Sequence, residues 1–520
     1  MPSIEFPVPN LGERGDLNER EMPTSALRVC QNLMRNAKGR LSIRPGYTPL
    51  SATNPATRIM GIHFFQTATG TLRMVAGTKT GLWQFDGTDW LDITGTALSG
   101  GNTNHVRHST FFQGGVYNVV ETNGVNVPKK WDGAAATYTA LGGTPGVSID
   151  STVLANRLLL LQYPNKIRIS DFNGYEVYST DLDLLLIDSG DPMIGMQRIN
   201  RTAVGVIGEK SQWVLRAQSG AFPVRPERIS ENPGAVSAAA IIKANSTLFY
   251  LAEDFNVYSF DGATPAHPMG WAMLPFVKDN LNGDNRAMTH GIYMEDIHKA
   301  FWFFPGQSMG APNLGIFLDV LTGEMGRLSF ANPITASALV RTARVAPVTW
   351  ASAGAAGLTW DNVAAVYPTW DSVGGSGASE RVNVLGDSAG VIHVTGQGDG
   401  SDDGAAIECQ FEFPLTSYGG WDKNTVPKVY ESFFRKTVNS TIVEPSLGMS
   451  ETLMSDPIYT SLENFDLAVD QRNDVDLSGT GEHRFISLKH RIIAQKGQVE
   501  FLGGLFGGEA TDIAAGPENQ

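Results

Sequence analysis

The sequence predicts an all-β protein: a six- or seven-bladed β-propeller with an N-terminal arm and a C-terminal β-sandwich-like domain. Glycine-centred turns recur at a nearly regular interval. A continuous apolar run precedes most of them. The composition is low in charge, at 18% Asp, Glu, Lys and Arg, and rich in glycine, with 57 in 520 residues.

The turns come first. Gly81 to Thr94 reads GLWQFDGTDWLDIT, a short strand, an Asp86-Gly87 turn and a second strand. Asp-Gly suits a hairpin because glycine accepts positive φ and aspartate hydrogen-bonds the local backbone. The pattern returns at Asp132-Gly133, Asn173-Gly174, Ser219-Gly220, Asp261-Gly262, Thr322-Gly323 and Ala389-Gly390. Successive glycines are 46, 41, 46, 42, 61 and 67 residues apart, close to the length of a four-stranded blade. Asp86, Gly87, Asp132, Gly133, Asp261 and Gly262 are read as structural turn residues. The apolar runs include Arg73–Gly77, Arg157–Leu161, Ala203–Ile207, Thr247–Leu251 and Ala300–Phe304. Runs without alternation are buried on both faces, as strands pressed between two blades must be. The number of blades stays open between six and seven, because one terminus can complete a blade begun by the other.

In order along the chain, residues 1–55 form an extended arm with a short helix expected over Ser25 to Asn36. The arm is long and polar enough to wrap a neighbouring subunit. Residues 56–397 carry the propeller. Its longest interval holds an insertion at about 347–376, where Thr-Trp recurs every ten residues at Trp350, Trp360 and Trp370. Such a Gly/Ala-rich ribbon has no core of its own, so its indoles are expected to plug into pockets on its own blade or on a neighbouring subunit, which makes them candidate subunit contacts. Residues 398–508 form the C-terminal β-domain and 509–520 a flexible acidic tail.

The net charge of −14 argues against a surface that grips duplex DNA. Two cysteines, Cys30 and Cys409, are too few for a disulfide framework or a cysteine zinc site. The N-terminus does not have the form of a secretory signal, and no apolar run reaches the length of a membrane span. A soluble protein made in the cytoplasm is expected.

Catalytic motifs fail on context. Gly306-Gln307-Ser308-Met309-Gly310 has the nucleophile-elbow spacing but is followed by a turn and a strand rather than a helix. Gly205 to Ser211 lacks the phosphate-loop spacing. Asp399 to Gly404 opens like a calcium loop, but the twelfth position is Gln410 rather than a bidentate glutamate. His63, His105, His108 and His267 have no partner at metal-ligand spacing in the sequence. No enzyme activity, cofactor or metal is expected. A basic cluster, Arg484, Lys489 and Arg491, inverts the local charge and could meet DNA or an acidic partner. A solvated strand edge is the alternative.

Together, Asn32 and Gly39 to Tyr47, the aromatic-Asp-Gly turns at Phe85, Trp131 and Phe260, and the Thr-Trp-Asp repeats at Trp360 and Trp370 resemble phage tail-assembly proteins. The layout is similar to the tail nozzle, or packaged-DNA stabilisation hub, of short-tailed bacteriophages. The Trp insertion departs from that pattern. The resemblance implies a homohexameric ring at the distal end of the tail, below an adaptor protein and beside tail fibres or spikes. Such a ring retains packaged double-stranded DNA, conducts it without sequence specificity during ejection, and meets the host cell surface. It implies a virion protein assembled in the host cytoplasm. The competing expectation is a virion propeller module that binds a host receptor or glycan.

Overall fold

The computed structural model describes residues 3–512 except 19–20, 68, 187–189, 221, 343–379, 397–400, 417–422, 436–440, 451–456, 470–471, 478–484 and 495–498. Seven blades of four antiparallel strands form the propeller, six of them separate sheets and blade 6 part of a larger one. Blade 1 is Ile59–Gln66, Leu72–Thr78, Leu82–Phe85 and Trp90–Asp92. Blade 2 is Arg107–Gln113, Val116–Thr122, Lys129–Trp131 and Thr139–Ala140. Blade 3 is Asp150–Leu154, Arg157–Gln162, Lys166–Ile169 and Leu184–Leu185. Blade 4 is Met193–Arg198, Ala203–Gly208, Gln212–Ala217 and Val224–Ser230. Blade 5 is Ile241–Ala244, Thr247–Leu251, Val257–Phe260 and His267–Pro268. Blade 6 is His290–Met294, Lys299–Pro305, Pro312–Asp319 and Met325–Ser329. Blade 7 is Ile334–Thr342, Glu380–Asp387, Ile392–Thr395 and, from the arm, Tyr47–Pro49.

The first strands pack side by side around the axis, and the first strand of blade 7 meets that of blade 1, so the ring is closed. The second strands are the apolar runs of the sequence. Ala203–Gly208 and Lys299–Pro305 are buried along their whole length. The cores lie at the seams between blades. Leu159 and Leu161 of blade 3 pack with Val204 and Val206 of blade 4. Phe249 and Leu251 of blade 5 pack with Trp302 and Phe304 of blade 6. The buried Trp302 indole donates to the Ala240 carbonyl at 2.9 Å, so its one polar atom is satisfied across a seam.

The seam between blades 1 and 2 depends on a missing side chain. A Cβ at Gly61 would stand 1.9 Å from the Val106 carbonyl oxygen, inside any allowed contact. Gly61→Ala is expected to part the two blades locally and lower stability by about 1–3 kcal/mol, measured as a fall in the denaturant midpoint with unchanged slope.

The ring is closed by the arm. Tyr47 pairs with Thr395, Thr48 with Val394 and Pro49 with His393. Proline is tolerated there because this is the outer edge of a blade. Gly390 therefore marks the turn between the second and third strands of its blade, not the third and fourth. Gly174 is also displaced: a ten-residue connection, Ser170 to Ser179, follows the third strand of blade 3, and the fourth begins only at Leu184.

The arm departs from expectation. The helix expected over Ser25 to Asn36 is absent; Val29–Gln31 and Leu33–Arg35 are strands. Over its described length the arm is also built into its own chain. Val29–Gln31 lies between blade 6 and the C-terminal domain, pairing parallel with Met325–Ser329 and antiparallel with Ile407–Glu412. One ten-stranded sheet thus runs from blade 6 through the arm into Ile407–Glu412, Phe485–Ala494 and Thr441–Ser450. The facing sheet joins Leu33–Arg35, Leu41–Ile43, Glu500–Asp512, Lys423–Phe434 and Arg472–Asp476, with Ser3–Phe6 also on Glu500–Asp512. Between the sheets, Phe6, Leu27, Cys30, Leu33 and Leu41 of the arm join Phe411, Tyr430, Ile492 and Phe501 in one core. The sandwich is therefore a composite of both ends of the sequence rather than residues 398–508 alone. Its last strand continues to Asp512, past the start of the expected tail at 509.

Candidate functional site

The turn residues stand where a repeated wall needs them. Asp86 Oδ1 accepts from the backbone N–H of Thr88 and of Asp89, both at 2.8 Å. Asp132 Oδ1 accepts from Ala134 and Ala135, and Asp261 Oδ1 from Ala263 and Thr264. Gly87, Gly133 and Gly262 have φ of 113°, 82° and 77°, a region closed to most side chains. These backbone bonds hold the Asp86 and Asp261 carboxyls below their ordinary values. Such carboxylates are bound to their own turns and not poised as bases or ligands.

Of the C-terminal cations, Arg491 is already paired. Arg491 donates from Nε to Glu408 Oε1 at 2.6 Å and from Nη1 to Glu444 Oε2 at 2.7 Å. Lys489 places Nζ 5.3 Å from the centre of the Tyr459 ring. Arg484 lies outside the described residues, as do Trp350, Trp360 and Trp370. The expected cationic patch is thus reduced, among the described residues, to one neutralised guanidinium and one lysine over a ring. His267 is an exposed residue of the last strand of blade 5.

A face groove of about 840 Å³ between blades 4 and 5 is lined by Asp191, Glu209, Glu231, Glu253 and Asp254 with Lys210 and Arg228. Several of these charges are engaged internally. Asp191 accepts from Ser211 Oγ at 2.6 Å, and Glu231 and Glu253 pair with Arg228 and Arg286.

A different cluster forms on the axis, where the first strands meet. A cavity of about 250 Å³ is lined by His63, His105, Arg107, His108, Gln197 and His290 among others. The sequence reading left His63, His105 and His108 without partners; the ring brings them together. The His63 and His108 rings are stacked with centroids 5.7 Å apart, and those of His105 and His290 are 6.1 Å apart. His63 Nε2 shares a hydrogen with Thr110 Oγ1 at 2.8 Å, and His105 Nε2 meets the Ala287 carbonyl at 3.1 Å. Burial, with Arg107 nearby, pushes His63 and His105 down to about 4. Burial also pushes His108 and His290 well below the usual imidazole range. All four rings are therefore neutral near pH 7, each with one donor and one acceptor. Arg107 donates Nε to Asp150 Oδ1 at 3.3 Å. His290 was not singled out from sequence. The available signal was a lone histidine opening a first strand.

A second buried group lies off the axis. Glu121, on the second strand of blade 2, is fully buried, and neither carboxyl oxygen has a hydrogen-bond partner in the protein. Its cross-strand neighbour Lys129 donates instead to the Thr94 carbonyl at 3.2 Å and to that of Thr96. Burial raises the Glu121 carboxyl to about 8, opposed by Lys129. The folded state then holds a proton that the unfolded chain gives up above its ordinary value near 4.5. Stability is expected to fall as pH rises from about 4.5 to about 8 and then level off. Glu121→Gln should remove that slope and be neutral or stabilising at pH 7, by up to a few kcal/mol, in thermal melts recorded at pH 5, 6, 7 and 8.

No group of three or more His, Cys, Asp or Glu placed to hold a metal occurs among the described residues. No helix among them is long and apolar enough to cross a membrane. Neither a family model nor a curated protein matches the chain. Solved propeller structures are similar to it at a distance. The WD40 β-propeller domain of Doa1 is 8% identical, with a TM-score of 0.39, over 68% of this chain and 98% of that one. BamB from Moraxella catarrhalis is 9% identical, TM-score 0.35, over 70% of this chain and 99% of that one. YCF48 from Cyanidioschyzon merolae is 11% identical, TM-score 0.37, over 68% and 98%. Likeness this remote carries no argument about function, and the propeller stands on its own strand pairing.

Proposed function

We propose that this propeller protein is a structural component of a short phage tail, a nozzle ring that retains packaged DNA and conducts it during ejection. The observation that supports this reading most is the joining of arm, propeller and C-terminal sandwich through one continuous ten-stranded sheet. A conduit wall must resist deformation, and a continuous hydrogen-bonded sheet between two domains removes the hinge that a linker would leave. The net charge of −14 suits a wall that DNA slides past without adhering. The order of arm, propeller and β-domain is the order that the resemblance to tail nozzles implies.

In this reading the subunits form a homohexamer, held below an adaptor ring and flanked by fibres or spikes. Heterologous contacts close such a ring. We propose that the Trp350–Trp370 segment supplies those contacts. Electron microscopy of the purified protein, alone and with virion components, tests the proposal. The expected result is a sixfold ring on the tail axis. A monomer that binds cell-surface glycan and never enters a ring would instead favour a receptor-binding module. Trp360→Ala with Trp370→Ala is expected to raise the concentration for ring assembly by tenfold or more while leaving the propeller melt unchanged. Unchanged assembly would remove the segment from the interface.

A further inference from the structure

We propose that the axial cavity of the propeller is a binding site for a small oxyanion of the phosphate or sulfate class. The proposal is independent of the tail reading. It begins with an inversion of charge. The chain as a whole carries −14, yet the seven first strands hold Arg107, Arg198, Lys243 and Arg341 against the single carboxylate Asp150. Arg58 lies close enough to bear on both His105 and His290, and Arg198 bears on Lys243. Like charges need a counter-charge, and Asp150 forms an ion pair with Arg107 alone among the described residues, its other bonds being to the Ser151 and Met196 backbone N–H groups.

The cavity itself is lined with unused donors. His290 is 2% exposed, and its ring nitrogens find no well-formed hydrogen bond in the protein, only a loose approach to the Met288 backbone. His108 Nε2 is likewise buried without a partner. Arg107 uses Nε on Asp150, so its two terminal nitrogens remain for a ligand. A guanidinium and imidazole N–H groups lining one cavity are the donors that a tetrahedral oxyanion takes up. A cation is disfavoured, since no carboxylate lines the cavity. About 250 Å³ admits an inorganic oxyanion with a few waters.

The test is calorimetric titration of the full chain with sodium phosphate and with sodium sulfate, at constant ionic strength against chloride. Saturable binding with one ion per chain is expected. His108→Phe and His290→Phe keep an aromatic ring but remove its nitrogens, and should each weaken binding at least tenfold. Arg225→Ala, on an exposed outer strand, should leave it unchanged. The melting temperature without anion identifies any variant that fails to fold. If His290→Phe does, His108→Phe decides the matter alone. No saturable binding up to about 10 mM of either ion would overturn the proposal, as would binding that neither phenylalanine variant weakens.

Discussion

A chain starting at residue 51 is expected to lose cooperative folding altogether. Removing residues 1–50 opens the ring at blade 7, whose outer strand is Tyr47–Pro49. It also removes Val29–Gln31, which joins blade 6 to the sandwich, and Leu33–Arg35, Leu41–Ile43 and Ser3–Phe6 from the facing sheet. Phe6, Leu27, Leu33, Leu41 and Tyr47 are each at most 2% exposed. Burying side chains of this size stabilises by about 1.5–3 kcal/mol apiece. Their sum rivals the whole stability of an ordinary domain, about 5–15 kcal/mol. The truncated chain should aggregate or melt without a transition in circular dichroism. A synthetic peptide of residues 1–58, added during refolding, should restore a cooperative melt. A soluble truncated chain that melts cooperatively would show that the arm is dispensable.

The second large effect is expected at Arg44. This side chain is almost fully buried where arm, blade 6 and sandwich meet. Its guanidinium forks onto Asp402, with Nη1 donating to Oδ1 at 2.8 Å. It also donates to the Ser329 carbonyl at 2.8 Å and to Asn32 Oδ1 at 3.2 Å, and it lies 4.4 Å over the Phe330 ring. Arg44→Met leaves the Asp402 carboxylate buried without its counter-charge. That should cost about 3–5 kcal/mol, read as a shift of the denaturant midpoint. Arg44→Lys should recover little, because an ammonium cannot reproduce the fork. Combining Arg44→Met with Asp402→Leu should recover most of the loss, since the stranded charge is then gone. A small loss in the single variant would mean that water reaches Asp402 and that the junction is open.

The buried pair also illustrates what the sequence did not disclose. Arg44 and Asp402 are separated by 358 positions, and Asp402 sat in a segment that read as a calcium-like turn. Its carboxylate faces an arginine from the other end of the chain. The arm was misread as part helix for a related reason. Its strands are only three residues long, too short to show an alternating pattern, and Val29–Gln31 and Leu41–Ile43 pair with strands hundreds of residues away. The blade number stayed open because the closing strand, Tyr47-Thr48-Pro49, has no local strand signal and contains a proline. The axial cluster was hidden in the same way. His63, His108 and His290 are isolated in sequence and meet because seven first strands share one axis.

What the sequence alone determined was the repeating unit. The Asp-Gly turns at Asp86, Asp132 and Asp261 and the two-faced apolar runs at Ala203–Ile207 and Ala300–Phe304 are local. A hydrogen bond two or three residues away and burial between flat neighbours suffice to define them. The tertiary structure decided the rest: seven blades, closure by the arm, a sandwich made from both termini, and a basic axis inside an acidic chain. Those features follow from ring closure, in which each strand edge left unpaired must find a strand from wherever the chain can supply one.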